Sequence, residues 1–124
     1  MPRILVIDDS AAIRELLRFL LEEEGYEVIE AADGAEGLQR YQADPTDLVI
    51  TDLQMPGMHG LELLQALQRV VPTPALIAIS GDREALTQAK ELALYTFAKP
   101  LPLEQVLAAV RNLGLRHRSY GETA

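Results

Sequence analysis

The chain has 124 residues with 48 % hydrophobic residues, which fits one domain able to bury a core. Nineteen acidic residues against eleven Lys and Arg leave a formal charge of −8, which excludes non-specific nucleic-acid binding and docking on an anionic membrane surface. Cysteine is absent, so disulfides and thiolate metal sites are excluded and a reducing cytoplasm is the expected setting. No apolar stretch approaches the length of a membrane span, and the N-terminal apolar run is too short for a signal peptide.

Short apolar runs alternate with longer amphipathic ones. Ile4 to Ile7 reads as a strand ending at Asp8-Asp9. A helix follows from about Ser10 to Glu24, with a stripe of Ile13, Leu16, Leu17, Leu20 and Leu21, and Gly25 stops it. Tyr26 to Ile29 is the second strand. Asp33, with Glu36 three residues on, marks a helix start, and that helix ends near Ala43. Leu48 to Thr51 is the third strand and ends at Asp52. A loop from Gln54 to Gly60 leads to a helix carrying Leu61, Leu64, Ala66 and Leu67. Ala75 to Ile79 is the fourth strand, ending at Ser80-Gly81, and a less regular helix spans about Arg83 to Leu92. Tyr95 to Ala98 is the fifth strand, ending at Lys99-Pro100. The last helix spans about Pro102 to Leu113, with Leu103, Val106, Leu107 and Val110 inward, and Gly114 closes it.

This alternation predicts a doubly wound α/β fold, a parallel sheet with helices on both faces. Ligands in such folds bind outside the carboxyl ends of the strands. There the polar residues gather: Asp8 and Asp9 after strand one, Asp52 after strand three, Ser80 after strand four and Lys99 after strand five. Singly, each has an ordinary structural role, as a helix cap, a turn residue or a solvated strand end. Together, three carboxylates repel one another and need more positive charge than Lys99 supplies. Oxygen-only donors suit Mg²⁺ or Mn²⁺, and such a site suits phosphoryl transfer, with Asp52 as nucleophile, Ser80 as a hydroxyl donor and Lys99 as a neutralising cation.

Taken in order, Val6-Ile7-Asp8-Asp9, Asp52-Leu53-Gln54-Met55-Pro56-Gly57, Gly60, Ile79-Ser80-Gly81 and Lys99-Pro100 resemble the response regulator receiver domain, the CheY-like family of two-component signalling. The resemblance covers residues 3 to about 114. It implies a flavodoxin-like (βα)5 three-layer sandwich with strand order 2-1-3-4-5. The domain would occupy 1–114, with 115–124 a tail or truncated linker. The resemblance further implies that Asp52 is the phosphoacceptor. Asp9 would bind the metal directly, Asp8 mainly through water, and the Gln54 backbone carbonyl would be a further ligand. Ser80 would move towards the phosphoryl group, Lys99 would pair with it, and the Lys99-Pro100 bond would be cis. The donor would be a sensor histidine kinase or histidine phosphotransfer protein, and the recipient a downstream effector or a fused output domain.

The family's readout face corresponds to about Arg83 to Leu113. The family usually has an aromatic three residues before the lysine. Here that position is Thr96, flanked by Tyr95 and Phe97, of which Phe97 reads as a packing residue, and the preceding turn is Leu92-Ala93-Leu94. Two other classes compete. One is a phosphorylation-independent interaction module on the same fold. The other is a haloacid-dehalogenase-like phosphatase, which the residue two after Asp52 opposes, since it is Gln54 and not a second Asp. His59 reads as a solvated loop residue, and Glu22 to Glu24 as a solvated face. Arg111, Arg116, His117 and Arg118 form a small basic cluster suited to the end of the last helix.

Overall fold

The computed structural model describes residues 2–115. Along the chain lie β1 (Arg3–Ile7), α1 (Ala11–Glu23), β2 (Glu27–Ala31), α2 (Gly34–Ala43), β3 (Leu48–Asp52), α3 (Gly60–Arg69), β4 (Ala75–Ser80), α4 (Arg83–Ala89), β5 (Tyr95–Ala98) and α5 (Leu103–Asn112). The five strands form one parallel sheet in the order β2-β1-β3-β4-β5. The order reverses between β1 and β3, which sets a crevice at their carboxyl ends.

Alternating side chains feed two cores, one on each side of the sheet. Leu5, Ile7, Val49, Leu76 and Ala78 meet Tyr41 of α2, Leu63, Leu64 and Leu67 of α3, and Leu86 and Ala89 of α4. Ile4, Val6, Leu48, Ile50, Ile77 and Ile79 meet Leu17 and Leu21 of α1 and Val106, Ala109 and Val110 of α5. Central strands covered on both faces are apolar throughout, and each fully buried Leu or Ile side chain stabilises the fold by about 1.5–3 kcal/mol.

The helix ends follow local chemistry. The Ser10 hydroxyl accepts the Ile13 N–H at the start of α1. Gly25, with φ 94°, ends that helix. Its N–H reaches the Glu22 carbonyl and the Tyr26 N–H reaches that of Leu21, a paired closure that needs a left-handed residue between. The Asp33 carboxylate accepts the Glu36 N–H at 2.8 Å, as the sequence motif predicts. Glu36 in turn accepts from Ala32 rather than from Asp33 itself.

Several boundaries differ from the sequence expectation. The second strand is Glu27–Ala31 and not Tyr26 to Ile29, because Tyr26 is spent closing α1. The fourth helix stops at Ala89 and not Leu92. The N–H groups of Leu92 and Ala93 both turn back to the Ala89 carbonyl, which frees the chain to enter β5. Leu63 rather than Leu61 is buried on α3. On α1 the buried stripe narrows to Leu17 and Leu21. Leu16 lies on its flank, 42 % exposed, in a shallow apolar groove with Ile13, Pro100, Leu101 and Leu103, while Phe19 is 62 % exposed. Pro102 sits one residue before α5, where it has no capping side chain. Of the basic cluster, Arg111 pairs with Glu24, while Arg116, His117 and Arg118 lie outside the described residues, as does the tail from 116 to 124. No helix among the described residues is long and apolar enough to cross a membrane.

Candidate phosphoacceptor site

The carboxyl edge of the sheet continues its hydrogen bonding one residue past the strands. The Asp8 N–H donates to the Ala31 carbonyl, Leu53 N–H to that of Ile79, and Lys99 N–H to that of Ser80. The loops therefore leave the sheet in step, and the residues at the four strand ends arrive at one level.

Asp8 is fully buried and Asp52 is 2 % exposed, while Asp9 is exposed at the rim. One oxygen from each of the three lies within 4.8 Å of the others. The Lys99 ammonium stands 3.1 Å from Asp8 Oδ2 and 3.2 Å from Asp52 Oδ2. Backbone groups orient the other oxygens: Ser10 N–H donates to Asp8 Oδ1 at 2.9 Å, and Gln54 N–H to Asp52 Oδ1 at 3.1 Å. The Ser80 hydroxyl is buried beside them and accepts the Asp82 N–H at 3.0 Å. Asp82, rather than Ser80, is the cap of α4. The Lys99-Pro100 peptide is cis.

Electrostatics follow from burial. Desolvation pushes the Asp52 carboxyl above its ordinary range. The Gln54 N–H pulls it down, Asp8 pushes it up and Lys99 pulls it down, and the upward influences win. For Lys99, burial pulls the ammonium down, but Asp8 and Asp52 outweigh it and raise the group.

The donor set fits a hard divalent cation. It consists of oxygens only, with a negative excess that one ammonium does not cancel. Asp8 Oδ2 is buried and accepts no well-directed hydrogen bond, since the nearby Lys99 ammonium meets it as a charge rather than along a donor axis. Among the described residues, Asp8, Asp9 and Asp52 form a group of side chains that could hold such an ion.

The model of the response regulator receiver domain matches residues 4–111. The chain belongs to the response regulator receiver family. Sporulation initiation phosphotransferase F of Bacillus subtilis (strain 168) is 34 % identical over 113 residues, covering 89 % of this chain and 91 % of the relative. Response regulator MprA of Mycolicibacterium vanbaalenii is 38 % identical over 114 residues, and there this receiver spans 49 % of the relative's length. It spans 13 % of the CAI-1 autoinducer sensor kinase/phosphatase CqsS of Vibrio cholerae, at 39 % identity over 90 residues. Among solved structures, response regulator TrrA of Thermotoga maritima in complex with Mg(2+)-BeF superposes with a TM-score of 0.84 at 33 % identity, covering 91 % of this chain and 99 % of that one. Chemotaxis response regulator CheY4 of Vibrio cholerae gives 0.81 at 30 % identity, covering 90 % and 98 %. Receivers are signalling domains of two-component systems, not enzymes with a separate substrate.

The structure brings Asp8, Asp9, Asp52, Ser80 and Lys99 together at one edge. The three positions expected at the output surface divide. Tyr95 and Phe97 pack against the α1 and α5 core. Thr96, in register with Ala78, points to the opposite side, towards α4. His59 is exposed at the start of α3 and makes no capping bond. Sequence reasoning passed over Arg14, whose guanidinium reaches the Asp8 carbonyl. Its signal was available, since it lies one helical turn after Ser10 and side chains there lean back over the helix start.

Proposed function

We propose that Asp52 accepts a phosphoryl group from the phosphohistidine of a sensor histidine kinase or a histidine phosphotransfer protein. The observation that carries this reading is the grouping of Asp8, Asp9 and Asp52 within 4.8 Å, with Lys99 against two of them. A Mg²⁺ ion, held by Asp8, Asp9, Asp52 and the Gln54 backbone carbonyl, would supply charge neutralisation to the phosphoryl oxygens.

The chain's own residues do the rest. An Asp52 carboxylate oxygen attacks phosphorus, a P–O bond forms, and the P–N bond to the donor imidazole breaks. The leaving imidazole takes a proton from solvent. Lys99 favours the ionised nucleophile before transfer and pairs with the phosphoryl group after it. The Ser80 hydroxyl donates to a phosphoryl oxygen. The same hydroxyl accepts the Asp82 N–H, at the start of α4, so a movement of Ser80 towards the phosphoryl group is passed to that contact. Through that contact the reaction biases the readout face between two arrangements. A downstream effector or a fused output domain reads that face. A cytoplasmic setting is supported by the absence of cysteine.

Intact-mass measurement after incubation with acetyl phosphate, or with a phosphohistidine donor, tests this reading. A phosphate-sized adduct that requires Mg²⁺ and disappears in Asp52→Asn is expected. No adduct with either donor, under conditions that preserve acyl phosphates, would refute it.

A further inference from the structure

Arg14 is tied at both ends. Its Nη1 donates to the Asp8 carbonyl oxygen at 2.7 Å, and its Nε donates to Glu30 Oε1 at 3.1 Å. Glu30, on β2, is held from its other oxygen by Arg18 Nη1 at 2.8 Å. The Asp8 carbonyl belongs to the peptide group that leads into Asp9. The other end of Asp8 is fixed by its N–H on Ala31 and its carboxylate on Ser10. Asp9 itself is exposed, and no hydrogen bond or ion pair within the described residues holds its carboxylate. Asp9 is thus aimed by its backbone, held on one side by the Asp8–Asp9 peptide that Arg14 grips and on the other by Ser10, whose N–H donates to Asp8 and whose hydroxyl caps α1. A guanidinium fork can hold a carbonyl and a carboxylate in one rigid geometry, which an ammonium cannot.

Resting on the cation reading above, we infer that Arg14 is a positioning residue for the acidic pair: it fixes the Asp8 carbonyl and so sets the direction in which the Asp9 carboxylate faces the ion. Glu30 has a second task. It occupies Arg14, which would otherwise be free to swing onto the Asp9 carboxylate and compete with the ion.

The sign of the effect separates this role from plain electrostatics. Removing a positive charge beside a cation site tightens cation binding if charge is all that matters. Removing a positioning group weakens it.

The test is Mn²⁺ affinity of the full chain, read from the electron paramagnetic resonance of free Mn²⁺ at a temperature well below each variant's melting point. Arg14→Ala is expected to bind Mn²⁺ roughly tenfold more weakly than the parent. Arg14→Lys should fall between them. Glu30→Gln should also weaken binding, and Arg14→Ala combined with Glu30→Gln should be no weaker than Arg14→Ala by itself. Should Arg14→Ala fail to fold, Arg14→Lys, which keeps the charge, carries the same comparison. Unchanged or tighter binding in Arg14→Ala, or unchanged binding in Arg14→Lys, overturns the positioning role while leaving the cation reading intact. Failure of the parent to bind Mn²⁺, or equal binding by Asp9→Asn, overturns the cation reading and this inference with it.

Discussion

The rings of Tyr95 and Phe97 stack on one face of β5, with centroids 6.2 Å apart and planes 4° from parallel. Two residues apart on a strand, they share a side and pack on the α1 and α5 core. Thr96 between them faces α4. A ring on this strand therefore cannot swing towards Ser80 from position 95 or 97 without leaving its core. Ser80, which accepts the Asp82 N–H, is the site residue that touches the start of α4 in this structure.

Phe97→Ala removes a half-buried ring from that stack and should cost about 2 kcal/mol of stability. Chemical denaturation measures the loss. The extent of phosphorylation by acetyl phosphate should stay at the parent level.

Ser80→Ala deletes the acceptor of the Asp82 N–H, a loss of about 1 kcal/mol. Asp52 should still take up phosphate, more slowly. Amide hydrogen exchange at the start of α4 should respond less to phosphorylation than in the parent, because the coupling hydroxyl is gone.

Lys99→Met leaves Asp8 and Asp52 facing each other without a counter-charge. The expected cost in metal-free buffer is roughly 2 kcal/mol or more. Added Mg²⁺ should recover part of it, seen as a larger rise in melting temperature than the parent shows, while the phosphorylation rate stays at least about tenfold lower.

Asp52 gives the pH dependence a definite sign. Its folded carboxyl is raised, so the folded chain binds this proton more tightly than the unfolded chain does. The ionised group is a cost at neutral pH. That cost is relieved as pH falls through the raised folded value towards the ordinary unfolded value, about 3.9. In metal-free buffer Asp52→Asn should be at least as stable as the parent at pH 7. The difference between the two should shrink on acidification through that window. Thermal melts at several pH values, in the presence of a chelator, measure it.

Much of this arrangement was legible in the residues. The central strands announce themselves as unbroken apolar runs, since both of their faces are covered. The site residues were found because each ends a strand. Element ends were harder to read where tertiary contacts override local pattern. Tyr26 looks like strand but closes a helix, and Lys90 to Leu92 look like helix but form turns past its end, with Leu92 and Ala93 both donating to the Ala89 carbonyl. The exposure of Leu16 and Phe19 was hidden because an apolar stripe does not say how much of itself a neighbour covers. Arg14 escaped because its role runs through a backbone carbonyl, which no side-chain pattern records.

A Cβ on Gly60 would lie 2.4 Å from the Leu53 Cα and 2.6 Å from its carbonyl oxygen. The first residue of α3 thus rests directly on the backbone of Leu53, the residue after Asp52, and the stretch between them is pinched off at its base. The loop from Gln54 to His59 is therefore closed at both ends against the same strand terminus, with Met55 packed on the core beneath it. At position 60 even a methyl group would push into Leu53 and so shift the backbone that leaves the nucleophile.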